Sequence, residues 1–139
     1  MAFERRIQIR FDEVDFARVV YYPRFFNYAH QVFEDFFAQE VGFTYAKMLQ
    51  ERKVGYPSVH CEADFRRPLR FGDVARIVME TVEVGTRSIS CRYRFYVGDS
   101  TELCAELKVV CAGIEMDTFK GQPIPDDVKR AFEKHKVTG

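Results

Sequence analysis

The pattern that most restricts the fold lies in the second half of the chain. Ile89, Cys91, Tyr93, Phe95 and Val97 alternate with polar partners, and Leu103, Ala105, Leu107, Val109 and Cys111 repeat the alternation. A period of two means a strand with one face buried and one face wet. Gly98-Asp99-Ser100 joins these two segments, and Gly85-Thr86-Arg87 joins the first to a further strand pattern over 74–84. Connections that short make hairpins, so the sheet is antiparallel. A sheet with one apolar face needs a layer to cover it.

The cover is a helix. Pro23 suits a first helical turn, where its missing N–H costs nothing. From there to about Gln39, apolar residues fall at 25, 26, 29, 32, 33, 36 and 37, with Arg24, Asn27, Gln31, Glu34 and Asp35 as the polar stripe. That spacing is helical, and the apolar arc is wide enough for a well-buried helix. Gly42 is the stop, and a shorter helix is expected over 44–52.

The first strand is predicted over 4–11, with Ile7, Ile9 and Phe11 on one face. Another runs from Val59 to Arg66, with Val59, Cys61, Ala63 and Phe65 on its apolar face, and Pro68 confines it to an end or an edge. Residues 71–73 turn the chain, and a weak helix is expected from Asp126 to Lys134. The expected fold is α+β, a single domain over 1–139 with a curved antiparallel sheet wrapped around one long central helix.

The net charge is zero, with 21 basic and 21 acidic residues, so nothing draws the chain to nucleic acid or to an anionic membrane. No long apolar run suggests a leader or a membrane span. Cys61, Cys91, Cys104 and Cys111 form no Cys-x-x-Cys pair and have no histidine at zinc-ligand spacing. They read as reduced, buried thiols of a cytoplasmic protein, with no metal.

One stretch does not serve the fold in any obvious way. Asp12, Glu13 and Asp15 precede Phe16, Val19, Val20, Tyr21 and Tyr22. Acids ahead of a helix can cap it or meet its dipole, and that suffices for Asp12 and Glu13. Asp15 borders a predicted dry wall. A carboxylate there can attack a carbonyl or take a proton from water, and unspent N–H groups at a helix start can meet an oxyanion. Spacing alone leaves both readings open.

The segment "DEVDFARVVYYPRFFNY" resembles the signature of hotdog-fold acyl-CoA thioesterases of the 4-hydroxybenzoyl-CoA thioesterase type. "GYPSVHCEADFRRPLRFGD" resembles the strand and turn that follow in that family, and the resemblance spans residues 4 to 120. It implies hydrolysis of an acyl-CoA, on aromatic or short acyl groups, with Asp15 as nucleophile or general base. It implies that the backbone N–H of Tyr22 meets the thioester oxygen. No cofactor is implied beyond the coenzyme A of the substrate. A dimer or dimer of dimers is implied, with each active site between two subunits. Arg18 stands where the family usually has glycine, so the loop is expected to differ there or Arg18 to reach a ligand phosphate or acidic group. Val20 and Phe26 are expected near the acyl group, with His60 as a further pocket candidate. Arg66, Arg67 and Arg87 are candidates for the phosphates of coenzyme A, with Arg70 beside them. His30 reads as a structural helix residue. The alternatives are a hotdog module that binds acyl-CoA without cleaving it, and a hotdog enoyl-CoA hydratase.

Overall fold

The helical pattern becomes α1 (Arg24–Phe36) in the computed structural model, which describes residues 2–137. Phe25, Tyr28, Ala29, Val32, Phe33 and Phe36 are buried along one side, while Asn27, Gln31, Glu34 and Asp35 face solvent. Beyond Phe36 the helix widens into one π turn, Phe37–Val41, and stops at Gly42 with φ 80°. That left-handed conformation is one glycine adopts without steric penalty. A short helix α2 (Tyr45–Gln50) follows, its start capped by the Thr44 hydroxyl accepting from the Lys47 N–H.

The sheet has five strands: β1 (Phe3–Gln8), β3 (Ser58–Phe65), β4 (Val74–Val84), β5 (Ser88–Val97) and β6 (Ala105–Ala112). Their spatial order is β1-β4-β5-β6-β3, antiparallel throughout. A small second pair joins β2 (Val54–Gly55) to β7 (Ile114–Glu115). Ile77, Met79, Tyr93, Phe95 and Leu107 are buried on the inner face of the sheet. Phe25 meets Phe95 edge-on at 5.1 Å, which brings α1 onto that face. Helix α3 (Asp126–Lys134) closes one end of the core, with Phe132 4.4 Å from Phe36. The outer face is polar and cross-paired, Arg92 to Glu80 and Arg94 to Glu106, both at 2.8 Å. This is the expected α+β hotdog arrangement. Among the described residues no helix is long and apolar enough to cross a membrane.

Two expectations need correction. The first strand ends at Gln8, not Phe11, because its partner β4 begins at Val74, opposite Gln8. Residues Phe11–Glu13 form a 3-10 turn, and Phe11 is exposed. The alternation holds in β3 from Cys61 to Phe65, but a register shift between Ser58 and His60 leaves Val59 without a partner on β6, and the apolar residues are not buried: Val59 and Phe65 are 62% and 46% exposed, and Cys61 is exposed too. β3 is the outermost strand beyond β6, and no other segment among the described residues closes over it. The buried thiols are Cys91, Cys104 and Cys111.

Candidate active site

Residues 14–20 form a miniature hairpin. Val14 bridges to Val20, the Asp15 N–H donates to the Val19 carbonyl at 3.0 Å, and the Arg18 N–H donates to the Asp15 carbonyl at 2.9 Å. Asp15 Oδ1 accepts the Ala17 N–H at 2.8 Å, which fixes the carboxylate; Oδ2 has no partner among the described residues. Val19 bridges to Arg70 and the Val20 N–H donates to the Leu69 carbonyl at 2.8 Å, so the hairpin hangs from the segment after β3.

Arg18 adopts φ 70°, the conformation a glycine would take. The loop therefore does not rearrange around the arginine; the arginine accepts the strain, which is of order 1 kcal/mol for a residue with a Cβ. Arg18 is exposed, three residues along the hairpin from Asp15.

The chain then turns into α1. The N–H groups of Tyr21, Arg24 and Phe25 donate to the carbonyls of Glu13, Tyr21 and Tyr22. The Tyr22 N–H has no acceptor among the described residues. It is an unspent donor at the positive end of a 13-residue helix, on the same short loop as the Asp15 carboxylate. The predicted dry wall is only partly present. Val20 is buried, but Phe16 is fully exposed at the hairpin tip and Tyr21 and Tyr22 are 50% and 61% exposed. The reason is position: the hairpin lies at the rim of the sheet, on the side where β3 is uncovered.

A cavity of about 210 Å³ lies between α1 and the sheet. Phe26 and Phe33 of α1, Tyr56 and Tyr93 are its aromatic walls, and Cys61, Cys91 and Cys111 line the strand side. Burial pushes the Cys111 thiol up to about 12, and it also raises Cys91 and Tyr93 well above their ordinary values. These groups are neutral at pH 7, and a neutral thiol is a poor nucleophile. The cavity is thus a slot for an aromatic or apolar group, in which Cys91 and Cys111 offer no thiolate to react. An apolar cavity of about 150 Å³ holds benzene, so this one has room for more than a single ring. A second, shallower cavity of about 250 Å³ lies beside the hairpin, walled by Val20, Tyr22, Phe25 and Phe65, with Arg66 and Arg67 at its edge.

The candidate residues fall into two groups. Val20 and Tyr22 share the shallow cavity with Phe65, whose ring is 6.2 Å from that of Tyr22, and Asp15 and Arg18 sit on the hairpin that leads to them; Arg66 and Arg67 follow Phe65 directly, both N–H groups on the Cys104 carbonyl. Arg67 is paired with Glu102 at 3.0 Å. Arg87 sits in the β4–β5 connection, its carbonyl accepting the Gly113 N–H, at the end of the sheet where Ser58 pairs with Cys111. From Ser58 to Phe65 is seven steps of about 3.3 Å, roughly 23 Å. Phe26 lines the aromatic cavity under α1, between the two groups. His60 is exposed and held by Glu62 at 2.9 Å, outside both cavities of the single chain. Sequence reasoning did not gather Tyr56, Tyr93, Cys91 and Cys111 into a cavity. The alternation had put three of them on the inner face, but only the tertiary fold leaves a gap there. His30, read as structural, is also on the cavity wall.

A family model described as the thioesterase-like superfamily matches residues 9–132. The chain belongs to that superfamily. The 1,4-dihydroxy-2-naphthoyl-CoA hydrolase of Synechococcus sp. is 35% identical over 98 residues, 66% of this chain and 64% of the relative's own length. The enzyme of the same name from Nostoc punctiforme is 24% identical over 98% of this chain and 90% of its own. The 1,4-dihydroxy-2-naphthoyl-CoA thioesterase of Synechocystis superposes with a TM-score of 0.87, covering 95% of this chain and 96% of that one, at 22% identity. At that identity the superposition speaks for the shared hotdog fold. In this thioesterase-superfamily chain the candidate chemistry lies on a hairpin and a helix start, with an arginine strained into the turn.

Proposed function

We propose that the protein hydrolyses the thioester of an aromatic acyl-CoA, giving the carboxylic acid and free coenzyme A. The observation that carries this reading is the pairing on one loop of a fixed carboxylate, Asp15, with an uncommitted N–H at Tyr22. Asp15 either attacks the carbonyl carbon or takes the proton from an attacking water. The carbonyl oxygen becomes an oxyanion, which accepts from the Tyr22 N–H. The C–S bond then breaks and the coenzyme A thiolate leaves, to be protonated by solvent. If Asp15 was the nucleophile, water hydrolyses the resulting anhydride. The aromatic cavity of about 210 Å³ supports an aromatic acyl group, as do the names of the relatives.

The working unit in this reading is at least a dimer, paired antiparallel through β3. An eight-residue uncovered edge with exposed Val59 and Phe65 is an unfinished surface. A two-fold axis through the middle of β3 sets the Phe65 end of one copy against the Ser58 end of the other. Asp15 and Tyr22 of one chain then approach the cavity and Arg87 of its partner, which removes the separation of roughly 23 Å. Arg66, Arg67 and Arg87 would serve the phosphates of coenzyme A, and Arg18 its acidic groups. The four free cysteines suit a reducing compartment, the cytoplasm.

The test is thiol release from benzoyl-, hydroxybenzoyl-, naphthoyl-, phenylacetyl- and straight-chain acyl-CoAs. Asp15→Asn is expected to lower kcat by at least about 1000-fold while remaining folded. Full activity in folded Asp15→Asn would sink the assignment. Tight binding of acyl-CoA by the wild type without turnover would favour the binding module instead.

A further inference from the structure

The cavity's lining contains one imidazole, His30, among its aromatic rings, phenols, thiols, aliphatic side chains and the Ser58 hydroxyl. His30 sits on α1 one turn from both Phe26 and Phe33, at the cavity's open side. Three neighbours orient its ring. Phe33 stacks at 6.0 Å, Tyr45 meets it edge-on at 5.5 Å, and Glu34 Oε2 lies 3.3 Å from Nε2. A carboxylate facing Nε2 favours the proton there, and Nδ1 then carries the free lone pair. A neutral imidazole in that tautomer is a hydrogen-bond acceptor at the rim of an aromatic slot.

We propose that His30, oriented by Glu34, is a specificity-determining residue that accepts a hydrogen bond from a hydroxyl on the aromatic acyl ring. This rests on the hydrolase reading and goes beyond it, because it says which rings the cavity prefers. Phe26, Phe33 and Tyr93 grip any flat ring of the right size. His30 distinguishes a ring that can donate from one that cannot, since an unhydroxylated ring strips water from Nδ1 and returns no bond. Glu34 is a positioning residue: it acts through the imidazole.

The experiment compares kcat/KM for 2-naphthoyl-CoA and its monohydroxylated isomers in the wild type, His30→Phe, His30→Gln and Glu34→Gln. The wild type is expected to prefer at least one hydroxylated isomer. His30→Phe keeps a flat ring but removes the acceptor, and the preference should fall by about 10- to 100-fold. His30→Gln retains an acceptor oxygen and should recover part of the preference; Glu34→Gln should lose part of it. The affinities of the free naphthoic acids, measured by calorimetry on the same proteins, give the same ratio without turnover. If no acyl-CoA is cleaved but the acids show the preference and its loss in His30→Phe, the hydrolase reading fails and the role of His30 stands. No hydroxyl preference in the wild type, or equal losses for hydroxylated and plain rings in His30→Phe, would overturn the inference.

Discussion

The two edges of the sheet are built differently. The β1 edge is short, six residues, and carries charge: Arg6 pairs with Asp99 and approaches Glu4, and Arg5 pairs with Asp35. Where β4 runs on past β1, the chain near its C-terminal end covers it, with the Thr81 N–H donating to the His135 carbonyl and the Val137 N–H to the Thr81 carbonyl. The β3 edge is longer, and its exposed residues include Val59, Cys61 and Phe65. The first edge is charged and partly covered; the second bears Glu62 and Asp64 as well, but it also exposes Val59, Cys61 and Phe65 and has no strand beyond it among the described residues. Val20, Tyr22, Phe26, Arg66 and Arg67 line the cavities between α1, β3 and the segment that follows β3. The contrast teaches that one edge ends the molecule and the other is part of its working surface.

Putting charge on the open edge should have the largest effect. Val59→Asp with Phe65→Asp places like charges across the proposed two-fold axis. Light scattering should show a monomer, and kcat/KM should fall by at least about 100-fold through loss of the composite site. Gln8→Glu on β1 should change neither. Equal size and activity for both variants would erase the distinction between the edges.

Mixing tests the composite site more sharply. Asp15→Asn removes the carboxylate, and Ala29→Phe fills the cavity next to it in the same chain. Each should be nearly inactive alone. Random mixed dimers hold one intact site in half of the molecules, so about a quarter of wild-type activity should return. No recovery on co-expression would mean that the carboxylate and the cavity act within one chain.

A smaller effect is expected from the loop that hangs beside β3. Arg18→Gly relieves the left-handed strain, partly offset by the greater freedom of glycine when unfolded. A gain of about 0.5–1 kcal/mol is expected in urea denaturation, together with weaker binding of acyl-CoA if the arginine meets an acidic group. Loss of stability would show that the side chain contributes more than the backbone costs.

The smallest effect belongs to the closed edge. The Arg6 guanidinium, by hydrogen bond and then by charge, holds the Asp99 carboxyl below its usual range. A lowered carboxylate value stabilises the fold above the ordinary titration range near pH 4, and that contribution is lost as pH falls through the lowered value. Asp99→Asn should therefore melt slightly below the wild type at pH 7 and level with it in strong acid. A difference that persists in acid would assign the effect to something other than the ion pair.

Much of this was legible in the sequence because it is periodic. The spacing of Phe25, Ala29, Val32, Phe33 and Phe36 is a helix wherever it occurs, and the alternation from Ile89 to Val97 admits only a strand. The same reasoning misled at Cys61 and Val59. Alternation reports that a face is apolar, not which chain covers it. It misled at Phe11 too, since where a strand stops depends on where its partner starts. Asp15 could be picked out by its setting, and the resemblance gave it a role. The role of Arg18 could not be settled beforehand, because glycine's absence forecasts either a changed loop or a strained one, and only the backbone distinguishes them. The cavity was illegible for a plainer reason: Tyr56, Tyr93, His30 and Cys111 are scattered along the chain, and a gap between elements has no sequence signature.

The unequal burial of the cysteines has a practical consequence at the bench. A reagent that detects released coenzyme A by its thiol also titrates the protein. Of the four cysteines, Cys91, Cys104 and Cys111 are buried and Cys61 alone is exposed. A freshly mixed native sample with β3 uncovered should thus show one fast-reacting thiol per chain, and four after denaturation. A blank well below one per chain would show that Cys61 is already covered, so the zero-time reading doubles as a count of occupied edges.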